Sequence, residues 1–269
     1  MHAVRGRRGV AAMTLSVEIV PLLADNYGYL LVDGRTGTTA FVDPAEAAPV
    51  VARVRARGGR LDWILLTHHH GDHVAGTAEL VAAFGAKVAG AAADAHRLPP
   101  LDRALAEDDR FELGAASARV LATPGHTTGH VSYLFEESGD LFCGDTLFVM
   151  GCGRLIEGDA EAMWRSLAKL AALPPATRVW CGHEYTLANA RFALSLDPEN
   201  EALRARAVEV ERLRMAGRPT VPSTIGEERA TNPFLRAGEP AIRARMGTVG
   251  ASAVEAFAAV RRAKDRFRG

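Results

Sequence analysis

Thr67-His68-His69-His70-Gly71-Asp72-His73 is the stretch on which the reading of this chain turns. It follows Leu61-Asp62-Trp63-Ile64-Leu65-Leu66, a mostly apolar run after Gly58-Gly59 that reads as a buried strand. At the end of an extended strand His68 and His70 point the same way, and His69 points oppositely. Gly71 lets the chain turn, so Asp72 and His73 open a helix expected over Val74 to Phe84. They lie beside the first pair without sharing its direction. Two histidines on one side, and a carboxylate with a histidine on the other, suit two borderline cations held close together.

Bulk composition narrows the class. The 269 residues are 48% hydrophobic with a formal net charge of +0, enough for one large domain with an appendage. That balance gives no support for nucleic acid or a membrane surface as a partner. No apolar run approaches the roughly 18 residues of a membrane span. Three cysteines, Cys143, Cys152 and Cys181, are an odd number and point to a reducing, cytoplasmic compartment. Residues 1–12, with Arg5, Arg7 and Arg8 but no convincing cleavage site, read as a disordered extension before a domain that starts at Met13.

Along the chain, Ser16 to Leu22, Tyr29 to Val32 and Thr38 to Val42 read as strands joined by turns at Asp25-Asn26 and Asp33-Gly34. A helix is expected over Pro44 to Arg57. Short strands and loops alternate from Ala86 to Val120. Ala118 to Thr123 is a strand that delivers His126, exposed by a turn at Pro124-Gly125. His130 reads as a hydrogen-bonded core histidine and not as a ligand. Val131 to Phe135 and Asp140 to Cys143 form a hairpin ending at Asp145, and Arg178 to Cys181 is the last strand, presenting His183. Beyond Tyr185 the signals are helical: Thr186 to Leu194, then Glu199 to Ala216 with Asp197 as N-cap, and a final helix from about Ser252 to Lys264. The expected fold is an α/β domain over residues 13–183 followed by an all-α domain over residues 184–269.

The pattern H-x-H-x-D-H at a strand end resembles the metallo-β-lactamase superfamily. That likeness implies a four-layer αβ/βα sandwich with metals at one edge. Its remaining ligand motifs match Thr123-Pro124-Gly125-His126, Cys143-Gly144-Asp145-Thr146 and Cys181-Gly182-His183-Glu184. Within the superfamily, further segments resemble the glyoxalase II (hydroxyacylglutathione hydrolase) family: Asp145-Thr146-Leu147-Phe148, Gly151-Cys152-Gly153-Arg154, His183-Glu184-Tyr185-Thr186, Thr231-Asn232-Pro233-Phe234 and Arg261-Arg262-Ala263-Lys264-Asp265. The resemblance implies one cation on His68, His70 and His126, a second on Asp72, His73 and His183, and Asp145 shared. It also implies glutathione contacts from Arg154, Tyr185, Arg261 and Lys264. The chain departs from the family at Ile156, often aromatic there, and at Arg154, often lysine.

The implied activity is hydrolysis of S-D-lactoylglutathione to D-lactate and glutathione in methylglyoxal detoxification, by a monomer with two divalent ions (zinc, with iron or manganese as alternatives). Water activated by two cations is a nucleophile at neutral pH. A thiolate with a pKa near about 8.5 leaves without a strong general acid. Asp72 and Asp145 are the expected catalytic carboxylates. Independently of the resemblance, a ligand with two carboxylates needs cationic donors, and Arg261 and Lys264, three apart, share a face of the last helix. The rival readings are an iron-dependent glutathione persulfide dioxygenase of the same superfamily and a non-catalytic or nucleic-acid-acting relative. The first should lack the C-terminal helical segment, and the second should show a basic excess.

Overall fold

A computed structural model describes residues 15–268 of the chain, so the expectation for residues 1–12 lies outside the described residues. Strands β1 (Leu15–Leu22), β2 (Asn26–Asp33) and β3 (Thr39–Val42) form an antiparallel meander. Next come α1 (Ala48–Ala56), β4 (Trp63–Leu65), α2 (Gly71–Val74), α3 (Thr77–Phe84), β5 (Lys87–Ala91) and β6 (Arg103–Leu105). The pairs β3–β4, β4–β5 and β5–β6 are parallel, and such pairs need helical or long crossovers between their strands. The first sheet therefore runs β1-β2-β3-β4-β5-β6.

The second half supplies β7 (Arg110–Leu113), β8 (Ala116–Ala122), β9 (Val131–Phe135) and β10 (Asp140–Gly144). A small hairpin of β11 (Leu147–Phe148) and β12 (Gly151–Cys152) follows, then α4 (Ala160–Ala171) and β13 (Arg178–Cys181), parallel to β10. The remainder is α5 (Thr186–Leu196), α6 (Glu201–Met215), β14 (Ser223–Thr224), α7 (Ile225–Thr231), α8 (Pro240–Met246) and α9 (Ala253–Arg266). The second sheet runs β14-β13-β10-β9-β8-β7.

The two sheets meet through aromatic side chains. Tyr29 of β2 packs against Phe142 of β10 at 5.4 Å and Trp180 of β13 at 5.5 Å, and Trp63 of β4 meets Phe111 of β7 at 5.1 Å. Rings placed edge-on fill this interface densely, and one continuous apolar core results. It carries the C-terminal helices too: Trp164 of α4 touches Phe257 of α9, and Phe192 of α5 touches Phe234.

Five local readings need correction. The helix expected over Val74 to Phe84 is broken at Ala75-Gly76, because Gly76 donates its N–H to Pro44 and backs onto Glu46, where a Cβ would sit 2.7 Å from a backbone carbon. Helix α1 starts at Ala48 rather than at Pro44. The N-cap of α6 is Asn200, whose side chain accepts from the Leu203 N–H, while Asp197 closes α5 and binds Arg236. The strands do not end at Cys181, since β14 extends the second sheet beside β13. Helix α4 occupies a stretch between Asp145 and Arg178 for which the sequence reading gave no element.

Candidate metal centre and substrate cavity

The quoted stretch leaves β4 as extended chain to His70 and enters α2 at Gly71, so backbone geometry sorts its side chains. His68 Nε2 and His70 Nδ1 lie 3.1 Å apart, and His126 Nε2 is 3.0 Å from His70 Nδ1. His69 turns away, its Nδ1 3.1 Å from Asp94. On the other side His73 Nε2 is 3.3 Å from His183 Nε2, and Asp72 Oδ2 is 3.4 Å from the same His183 nitrogen. Among the described residues three groups could hold a metal: His68, His70 and His126; Asp72, His73 and His183; and a wholly buried set of Asp43, His68 and His73 that borrows one histidine from each of the first two.

Asp145 stands between them. Its Oδ2 is 3.4 Å from His126 Nε2 and 3.4 Å from His183 Nε2, and its buried Oδ1 has no hydrogen-bond partner among the described residues. Gly182 makes this approach feasible, because a Cβ there would meet Asp145 Oδ1 at 2.5 Å.

The opposite nitrogens of the rings are held by groups that set each tautomer. His73 Nδ1 donates to Asp43 at 3.0 Å, His183 Nδ1 to Asp25 at 3.0 Å, and His126 Nδ1 to the Arg154 carbonyl at 2.8 Å. Thr67 donates to Asp43 at 2.7 Å, which leaves its oxygen to receive His68 Nδ1 at 3.0 Å. Asn26 reaches both the carbonyl and the carboxylate of Asp72. His130 is buried, placed 3.0 Å from Thr123 Oγ1, and its Nε2 accepts the Asp145 N–H at 3.1 Å. Asp25 and Asp43 are the participants that the sequence reading missed. Each stood beside a turn or a proline, where Asp is ordinary, and only the fold brings them behind the histidines.

Electrostatics separate the two groups. Burial, reinforced by neighbouring histidines, pushes His68, His70 and His126 below their usual pKa, and burial takes His130 down to about 3. These rings are neutral, as metal ligands must be. Burial also opposes charge on His183, but Asp145, Asp72 and Asp25 outweigh it and raise its pKa to about 10. For Asp145 burial is likewise overcome, by His73, His183 and His126, and its carboxyl falls well below the usual range. A dense carboxylate set, convergent ring nitrogens and an orphaned buried oxygen fit divalent cations.

A cavity of about 450 Å³ opens from this cluster, lined at one end by His126 and Asp145 and at the other by Arg261, Lys264 and Asp265. Arg154 and Tyr185 also line it, so the four expected substrate residues share one space. Tyr185 stacks on His183 at 4.6 Å, with Phe148 edge-on to it at 5.4 Å. Lys264 lies 5.4 Å from the Phe192 ring, donates to the Ala188 carbonyl, and burial lowers its pKa to about 8. Arg261 differs from what a solvated helix face would give. It is buried, stacked 4.9 Å from Phe234, and bonded to Asp265 and to the Cys152 carbonyl. Cys143, Cys152 and Cys181 are buried free thiols whose pKa values burial raises, so none is a nucleophile.

Known proteins share these features. The pattern of the metallo-beta-lactamase superfamily matches residues 22–183, and that of the hydroxyacylglutathione hydrolase C-terminus matches residues 184–267. A hydroxyacylglutathione hydrolase from Methylococcus capsulatus is 58% identical over 255 residues, covering 95% of this chain and 100% of that protein. Among solved structures, ETHE1 from Myxococcus xanthus superposes with a TM-score of 0.65 at 25% identity, covering 94% of this chain and 92% of that one. TTHA1623, solved in a di-iron-bound form, gives 0.56 at 29% identity, over 78% of this chain and 95% of that one. With both halves matched and relatives this similar along nearly its whole length, the chain belongs to the hydroxyacylglutathione hydrolase family of the metallo-β-lactamase superfamily.

Proposed function

We propose that the chain is a thioesterase that hydrolyses 2-hydroxyacyl thioesters of glutathione, S-D-lactoylglutathione among them, with two divalent cations. The observation that carries this reading is the single cavity that joins Asp145 and His126 to Arg154, Tyr185, Arg261 and Lys264. His68, His70 and His126 would hold one cation, Asp72, His73 and His183 the other, and Asp145 both. Bound there, the pair supplies an acidified water and a Lewis acid for a carbonyl oxygen.

The residues of the chain do the rest. Asn26 orients Asp72, whose partly exposed carboxylate lies beside His183 and would accept a hydrogen bond from a water activated there. Phe148 and Tyr185 form an aromatic wall that excludes bulk water beside His183. Arg154 and Lys264 offer cationic donors to the carboxylates of glutathione, which fixes the thioester with its carbonyl at the cluster. Addition of the water oxygen to the thioester carbonyl forms a C–O bond. Collapse of the tetrahedral carbon then breaks the C–S bond, the electron pair leaves on sulfur as a thiolate without a general acid, and the proton released by the new carboxylic acid passes to solvent or to the thiolate.

The oxidoreductase alternative is less well supported, since relatives at 52–58% identity carry the hydrolase name. Zinc, iron and manganese all suit a His/Asp donor set, and the di-iron form of TTHA1623 favours testing iron. We further propose that residues 184–269 act as a substrate-reading helical domain on a catalytic domain of residues 13–183, and that the protein works as a monomer in a reducing, cytoplasmic setting. No described helix is long and apolar enough to cross a membrane. The test is thioester hydrolysis with metal analysis of the same sample. Hydrolysis of S-D-lactoylglutathione at a metal-to-protein ratio near two is expected. Absence of turnover after loading with zinc, iron and manganese in turn would refute the reading.

A further inference from the structure

The hairpin β11–β12 forms a two-stranded sheet of its own, so its outward backbone groups need partners from elsewhere. Side chains from the helical region supply them. Asn232 Nδ2 donates to the carbonyls of Phe148 at 3.2 Å and Gly151 at 2.9 Å. Glu228 Oε2 accepts the Met150 N–H at 2.8 Å and a bond from Asn232 at 2.9 Å. Met150 has φ of 52°, a conformation that a non-glycine residue keeps only when its surroundings over-determine it. The Asn232 amide is itself oriented, because its Oδ1 accepts the Phe234 N–H, which turns its two amide hydrogens toward the hairpin carbonyls and Glu228, three acceptors that share them. Both residues are fully buried at 0% exposure, and neither touches the cavity. The hairpin does touch it, through Phe148 and Cys152, and leads directly into Arg154.

We infer that Glu228 and Asn232 are positioning residues for substrate: from α7 they hold the β11–β12 backbone in the conformation that sets Phe148 and Arg154 on the cavity wall. The segment Thr231-Asn232-Pro233-Phe234 thereby acts on a site that its side chains do not line. This rests on the thioesterase reading above. The wall meets the part of the substrate that does not react, so a displaced hairpin weakens ground and transition states alike and appears in KM.

The test compares Glu228→Gln, which keeps an acceptor for Met150, with Glu228→Leu, which fills the same buried space without one, and with Asn232→Ala. KM for S-D-lactoylglutathione should rise about tenfold in Glu228→Leu and Asn232→Ala, as for one lost hydrogen bond, and stay at the wild-type value in Glu228→Gln. The metal-to-protein ratio should not change. Titration calorimetry with glutathione itself reads the same wall without turnover and should show the same order of affinities. If Asn232→Ala does not fold, the two Glu228 variants decide. A wild-type KM and glutathione affinity in Glu228→Leu overturn the inference, as does a loss in kcat shared equally by Gln and Leu. A wild-type enzyme that binds glutathione but hydrolyses none of its thioesters refutes the thioesterase reading instead, and the calorimetric series still judges the hairpin.

Discussion

Asp145 faces ring nitrogens on two sides, with one buried oxygen unpartnered. Asp145→Asn keeps the shape and removes the charge. Both metals should then be weakened, and hydrolysis should fall by more than the roughly 10- to 100-fold that loss of even an outer partner costs. Metal analysis and kcat on one preparation check this, and a variant retaining two metals at full activity would refute the bridging assignment. His69 and His70 provide a sharper contrast, because the first binds Asp94 and the second faces His68 and His126. His69→Ala should keep its metal and His70→Ala should lose one. Glu228 makes a prediction about pH. Burial raises its folded pKa from 4.5 to about 7, so the folded state binds the extra proton. Its favourable contribution is complete below pH 4.5 and is lost as pH rises through 7. Glu228→Gln should therefore gain more in Tm over wild type at pH 8 than at pH 5, and a gain independent of pH would contradict the buried-carboxylate account.

Helix α9 shows why spacing alone could not assign roles. Arg261 and Lys264 share a face, as their separation requires, yet their surroundings differ. Arg261 ties α9 to the Cys152 carbonyl of β12, whereas Lys264 rests on the Phe192 and Phe267 rings with its ammonium at the cavity. Lys264→Ala should raise KM for the glutathione thioester about tenfold with Tm nearly unchanged. Arg261→Ala should in addition lower Tm by several degrees, since removing a buried hydrogen-bonded cation costs about 2 kcal/mol and each kcal/mol is worth about 2–4 °C in a chain of this size. Equal melting temperatures in the two variants would show that Arg261 has no such structural part. The cap of α9 was legible, for Ser252 and Glu255 form a reciprocal capping box at the expected start. The cap of α6 was not, because Asp197 and Asn200 are equally good caps locally and contacts to Arg236 and the Ala230 carbonyl separate them.

Across the whole molecule, the two sheets, α2 and the β1–β2 turn converge on one edge and bring Asp25, Asp43, Asp72 and Asp145 close to the histidines. Carboxylates so placed repel one another unless a cation joins them. Stripping metal with a chelator should lower Tm by on the order of 10 °C, and adding zinc, iron or manganese should restore it. An unchanged Tm would argue against cations as part of the folded structure. By itself the sequence determined the α/β class, the strand ends that carry His68, His126, Asp145 and His183, and the face of His69, because these follow from period-two alternation and from turn residues beside each motif. Only the tertiary structure decided that Asp25 and Asp43 stand behind His183 and His73, that Glu228 and Asn232 hold a hairpin some 80 residues away in sequence, and that Arg261 is buried beside a half-buried Lys264. Each of these depends on which surfaces pack together, and local periodicity carries no information about a partner brought in from another part of the chain.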